Sequence, residues 1–139
     1  MDSHQTLIRV RYAETDQMGI AHHAIYYVWM EVARVELCEV LGFRYRDMER
    51  DGILMPVVET TCRYASSAKF DDTVAIDTKL AGVNSRMVRF SYHLSVNGRP
   101  VATGATRHVF LNREMKPTRL PRRYYPLFGL DLAAQPAVR

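Results

Sequence analysis

One stretch limits what this chain can fold into. From His22 to Leu41 it reads HHAIYYVWMEVARVELCEVL, with Tyr26, Met30, Ala33, Leu37 and Leu41 recurring at spacings of three and four. Ile25, Val28, Trp29, Val32, Val35 and Val40 cover the other faces, and Glu31, Arg34, Glu36 and Glu39 are the charges. The pattern predicts a helix buried around most of its circumference. Gly42 supplies its C-cap.

The rest of the chain predicts strands. Residues 6–12, TLIRVRY, alternate apolar and charged. After a short surface helix over 44–51, strands are expected at 54–66, 73–81, 87–96 and 101–111, with a turn at Phe70-Asp71-Asp72. Asn97-Gly98 is a hairpin signal between the last two. Pro117 and Pro121 mark a loop, and RRYYPLFGL reads as a last helical turn or an irregular cap. Strands and helices do not alternate, so a doubly wound parallel sheet is excluded in favour of an antiparallel sheet curled around one apolar helix. Such a sheet leaves edges and part of a face uncovered, which predicts dimerisation. No repeat or composition break divides the 139 residues, so one domain over 1–139 is expected.

Charge narrows the partners. Residues 1–83 carry 9 Lys/Arg against 13 Asp/Glu, and residues 84–139 carry 10 against 2, giving +4 overall. Most of the cations are Arg, whose planar fork matches phosphate oxygens. The basic half therefore suggests an anionic partner, either a phosphate-bearing small molecule or nucleic acid. Cys38 and Cys62 make no disulfide framework and are expected as small core residues. MDSHQTLIRV does not resemble a signal peptide, and apolar runs fall short of the roughly 20 residues of a membrane span. A cytoplasmic protein is expected.

Ahead of the long helix stands VRYAETDQMGIAHHAIY, Val10 to Tyr26. It resembles the hotdog-fold acyl-CoA thioesterases, in the branch that includes 4-hydroxybenzoyl-CoA thioesterase and the YbgC-like enzymes. In that family a strand leads to an Asp, then a Gly three residues on, then a helix opening at an H-x-N-Y-like element. Asp16, Gly19, His23, Ala24 and Tyr26 match, as do Glu31 and Arg34 of an E-x-A-R element and the block PVVETTCRYASSAKFDD from Pro56 to Asp72. Ile25 departs from the usual Asn, and Ser67 from a frequent Pro. The resemblance implies an α+β hotdog fold, one long antiparallel sheet around a central helix, and a homodimer or homotetramer with interfacial active sites.

It also implies a reaction: hydrolysis of an acyl- or aroyl-CoA to free acid and CoA. An ionised Asp16 attacks the thioester directly or takes a proton from water, and partial desolvation would raise its basicity. A turn-forming Asp is the alternative. The helix start leaves unpaired N–H groups that can polarise the carbonyl, and in the family the amide near His23 does so. His23 orients the carboxylate, protonates the departing thiolate, or is merely hydrogen-bonded. Tyr26, Tyr27 and Trp29 either line an acyl pocket or pack in the core. Gly19 completes the site's turn. The segment Gly82 to Phe90 matches the region near the coenzyme A nucleotide, which makes Ser85, Arg86 and Arg89 candidate substrate contacts. Arg86 and Arg89 have opposite strand parity, and Arg86 is favoured. Arg119, Arg122 and Arg123 are possible helpers. No metal and no cofactor is expected, since coenzyme A is part of the substrate and His22 and His23 diverge on a helix.

Two other classes compete. A hydratase or dehydratase of the same fold would use His23 and an acid on a carbon-bound proton, but here the acid precedes the helix. A non-catalytic ligand or nucleic-acid binder would need aromatics among its cations, and only Tyr124 and Tyr125 beside Arg122 and Arg123 offer that.

Overall fold

The computed structural model describes residues 2–131. The expected domain span of 1–139 therefore reaches beyond the described residues at both ends. The order is β1 (Ser3–Arg9), a 3-10 turn (Tyr12–Glu14), α1 (Ile25–Leu41), α2 (Tyr45–Arg50), β2 (Val57–Tyr64), β3 (Thr73–Val83), β4 (Met87–Val96), β5 (Arg99–Val109) and a second 3-10 turn (Arg122–Phe128). The five strands form one sheet in the order β1-β3-β4-β5-β2, with every pairing antiparallel.

Period-two patterning decides the faces. In β4, Val88, Phe90, Tyr92, Leu94 and Val96 are buried against α1, while the residues between them face outward. Asn97 and Gly98 both take positive φ, 49° and 80°, and Val96 pairs with Arg99 across them. Two left-handed positions match the twist of the flanking strands, which is why Asn-Gly ends β4 so sharply.

The helix buries Tyr26, Trp29, Met30, Ala33, Arg34, Leu37 and Cys38, a stripe spaced by threes and ones. The expectation of burial around most of its circumference is not met in one chain. Val28, Val32 and Val40 are 46%, 41% and 46% exposed. A single sheet can cover only one stripe of a helix, so those valines await another surface. The helix also starts later than expected, at Ile25 rather than His22. The His22 ring explains this: its Nδ1 accepts the Ala24 N–H at 3.2 Å and satisfies locally a donor that helical turns leave unpaired.

Under the helix lies a chain of polar groups. His108 Nδ1 lies 3.1 Å from the Met55 carbonyl, which can only accept, so Nδ1 carries the proton. Its Nε2 then accepts from the Thr106 hydroxyl at 2.9 Å, and Thr106 accepts from the Tyr92 phenol at 2.6 Å. Burial pushes His108 down to about 4, which keeps the ring neutral. Cys38 is fully buried, and burial pushes its thiol up to about 12, so it is a core residue as expected. Cys62 is only partly buried.

RRYYPLFGL forms the second 3-10 turn. It buries Tyr124, Tyr125 and Phe128, with Tyr124 and Phe128 against Phe43, and Gly129 ends it at φ 73°. No helix among the described residues is long and apolar enough to cross a membrane.

Candidate active site

Between β1 and α1 the chain makes a tight excursion that carries Asp16. The Asp16 N–H donates to the Ile20 carbonyl at 2.8 Å, and its own carbonyl accepts the Gly19 N–H at 2.9 Å. Oδ1 of its carboxylate accepts the Met18 N–H at 2.9 Å. Gly19 sits at φ 81°, a conformation that side chains rarely adopt, and this closes the turn. Asp16 is therefore a turn former as well as a candidate reactant: one carboxylate oxygen holds the loop and the other is left to act.

Asp16, His23, Tyr26 and Tyr64 line one cleft of about 280 Å³, with Ala65, Ser66 and Ser67 as its far wall. Asp16 is partly buried and His23 exposed. Ala21 N–H donates to the Ala68 carbonyl at 2.8 Å, and Arg99 donates to the Ser67 carbonyl at 3.0 Å. Arg99 thus ties down the strand exit where Ser67 replaces the expected Pro. A roomier concavity of about 690 Å³ lies among Ser3, Gln5, Asp77, Lys79, Ser91 and His93 on the outer face of the sheet. It contains neither Asp16 nor His23.

At the head of α1 one backbone N–H is left without an acceptor among the described residues. His22 N–H is taken by the Glu14 carbonyl at 2.9 Å, Ala24 N–H by the His22 ring and Ile25 N–H by the His22 carbonyl at 2.9 Å. The His23 N–H has no protein acceptor among the described residues. Tyr27 N–H bonds to Ala24 at 3.2 Å, which frees the His23 carbonyl, and the Tyr64 phenol donates to it at 2.7 Å. Tyr64 thereby fixes the peptide just after the free amide. Sequence reading assigns Tyr64 no role, because its partner is 41 residues away.

The other expected residues divide. Tyr26 is 3% exposed and both lines the cleft and packs on Trp29 and Tyr64, with ring centroids 4.9 and 5.0 Å apart. Burial pushes its phenol above its ordinary value. Gly19 shapes the turn without lining the cleft. Ser85, Arg86 and Arg89 do not line it either. Ser85 is fully buried, and its Oγ, like Arg86 Nε, has no partner among the described residues. Arg89 stands exposed on the outer face between buried Val88 and Phe90, as strand parity requires. Arg123 is held by Asp51 at 3.3 Å and lies over the Tyr124 ring. Among the described residues no group of three or more His, Cys, Asp or Glu is placed to hold a metal ion.

The family model of the thioesterase-like superfamily matches residues 10–128. The chain belongs to this superfamily. It is similar to the "Putative acyl-CoA thioesterase YneP" of Bacillus subtilis, 41% identical over 108 residues, 77% of this chain and 78% of that one. The acyl-CoA thioesterase YbgC of Haemophilus influenzae is 28% identical over 117 residues, 83% of this chain and 86% of that one. A solved DHNA-CoA thioesterase from Staphylococcus aureus superposes with a TM-score of 0.85 at 35% identity, covering 91% of this chain and 85% of that one. The sheet wrapped on α1 is the hotdog fold of thioesterases, as the resemblance implied.

Proposed function

We propose that this superfamily member is an acyl-CoA thioesterase acting through Asp16 and the His23 amide. The observation that carries the reading is that two residues line one cleft: Asp16, with one carboxylate oxygen uncommitted, and His23, at the head of a helix, whose N–H has no acceptor among the described residues. The N–H and the helix dipole polarise the thioester carbonyl. Asp16 either attacks that carbon, expelling the CoA thiolate and forming an anhydride that water opens, or takes a proton from the water that attacks. The His23 imidazole stands at the cleft to protonate the thiolate. Single-turnover hydrolysis in oxygen-18 water tests the first route, since label in the Asp16 carboxylate requires an anhydride that water opens at the Asp16 carbon. No cofactor is drawn on. A panel of aliphatic and aromatic acyl-CoAs, with released thiol detected by a chromogenic reagent, tests the activity. Hydration of an enoyl-CoA without thiol release would overturn it in favour of a hydratase. The nucleic-acid reading loses its support, because Tyr124 and Tyr125 are 6% and 5% exposed and cannot stack on bases.

The coenzyme A phosphates are assigned to the turn at Arg86. Arg86 Nε is a buried donor with no protein acceptor among the described residues, and such an orphan calls for a partner. Arg86→Ala should raise KM for an acyl-CoA about tenfold while leaving KM for the matching acyl-pantetheine, which lacks the nucleotide, within twofold.

A second copy is assigned to the free edge of β2. This edge strand carries Val57 and Val58 at 42% and 49% exposure, and Val57 shares a groove with the bare Val28 of α1, one turn from the equally bare Val32. Its Tyr64 end forms the cleft wall, so a two-fold partner on this edge completes the cleft. Light scattering should give two or four times 16.0 kDa. Val32→Arg should lower that mass to the single chain and take most of the activity with it. The two free cysteines accord with a cytoplasmic setting.

A further inference from the structure

Glu14 stands two residues before Asp16, and its side chain is only 5% exposed. Three donors converge on its carboxylate: the Arg11 N–H at 2.8 Å on Oε1, and the Arg11 guanidinium at 3.0 Å and the Trp29 indole N–H at 3.3 Å on Oε2. Its backbone carbonyl accepts the His22 N–H at 2.9 Å. One residue thus grips three segments: the exit of β1 through Arg11, the body of α1 through Trp29, and the peptide beside the free His23 amide through His22. A short bridge from Thr15 to Ala21 extends the same contact. Glu14 does not line the cleft, yet its carboxylate is buried, and a buried carboxylate asks for a reason.

We infer that Glu14 is a positioning residue that holds Asp16 and the His23 amide at a fixed separation, by tying the loop that carries one to the helix that carries the other. The inference rests on the reading of those two groups as the reacting pair. Its chemistry needs a carboxylate. All three partners are donors, and only an ionised acid offers acceptors on both oxygens. Burial pushes the Glu14 carboxyl up, but the bonds from Arg11 and Trp29 outweigh it and hold the group below its ordinary value. A carboxamide would turn an NH₂ toward the guanidinium and the indole, and the clamp would open. Attack geometry tolerates little displacement: a shift of about 1 Å can cost roughly 100-fold in rate.

Glu14→Gln tests this. The expected result is kcat lower by about 10- to 100-fold with KM within threefold, because the cleft's binding walls stay in place. Trp29 is the chain's one tryptophan, so its indole N–H resonance reports the clamp without ambiguity and should shift in the variant. Should Glu14→Gln not fold, Trp29→Phe keeps most of the ring and removes only the donor, and it should lower kcat several-fold with KM unchanged. A Glu14→Gln protein with kcat within twofold of wild type, a loss that only follows the unfolded fraction, or an unmoved indole resonance overturns the inference. The resonance reads the clamp whether or not any thioester is turned over. A wild-type protein inert to every acyl-CoA therefore counts against the thioesterase reading and not against the contact itself.

Discussion

Asp16→Asn is expected to fold like the wild type and to lose about 10²- to 10⁴-fold in kcat for acyl-CoA hydrolysis, with little change in KM. The substitution is chosen for what it keeps. An asparagine oxygen still accepts the Met18 N–H that Asp16 Oδ1 accepts at 2.9 Å, and the backbone bonds of the turn to Ile20 and Gly19 do not involve the side chain. The loop should therefore hold its shape, and circular dichroism and Tm should stay near wild-type values. What is lost is the second, uncommitted oxygen as an anion, so neither attack on the carbonyl nor removal of a proton from water remains. The free His23 amide persists and still polarises the carbonyl, which is why some rate over water should survive. A variant keeping more than a tenth of wild-type kcat with its fold intact would remove Asp16 from the chemistry and leave it as a turn residue. Loss of activity together with loss of fold would carry no such meaning, so the thermal melt belongs to the same experiment.

Much of this architecture is legible in the residues, for identifiable reasons. β4 and its hairpin follow from strict alternation and from Asn97-Gly98, signals that are local and strong. The buried stripe of α1 follows from its three-and-four spacing. The start of that helix does not, because the His22 ring takes over a backbone donor, and no propensity describes that. The exposed valines were unreadable in another way. An apolar pattern says that a surface is to be covered but not by which chain, and Val28 and Val32 look identical in sequence whether a sheet or a second copy meets them. In the site, Asp16, Gly19 and His23 lie within eight residues and carry a motif, so they could be found together. Tyr64 and Glu14 could not. Tyr64 meets His23 across the fold. Glu14 reads as one more acid in a charged segment, and only the arrival of Trp29 from the helix buries it. Ser85, expected at a ligand, lies fully buried, since the turn before β4 tucks its side chain inward while the Ser85 carbonyl takes the Leu120 N–H at 2.7 Å.

Gly104→Ala should be the most costly small substitution in the sheet. Gly104 lies on β5 facing α1, opposite Tyr92 and Cys62. It is not a left-handed position, so an alanine meets no backbone objection and would by itself stabilise by about 0.4–1 kcal/mol, through a less disordered unfolded chain. Space opposes it. An added Cβ would clash with Met30 Cε and would lie 3.0 Å from Met30 Sδ and 2.8 Å from the Thr61 carbonyl oxygen. Methionine is flexible, yet Met30 is fully buried among neighbours that leave it little room. The carbonyl cannot turn away without breaking the register of β2 on β5. Overpacking of this kind costs about 1–3 kcal/mol, which exceeds the entropic gain. The net should appear as a Tm several degrees lower. The consequence reaches the cleft, because β2 also carries Tyr64, whose phenol holds the His23 carbonyl, and a displaced strand pulls on that bond. Activity measured well below the melt should therefore fall along with stability. Adding Met30→Ala to Gly104→Ala removes the side-chain clash and leaves the one with Thr61. If the pair recovers activity but not full stability, the side chain displaced the strand; if it recovers neither, the backbone contact did. An unchanged Tm in Gly104→Ala would mean that β2 yields freely at this point, and that its grip on the helix start is weaker than the Tyr64 contact implies.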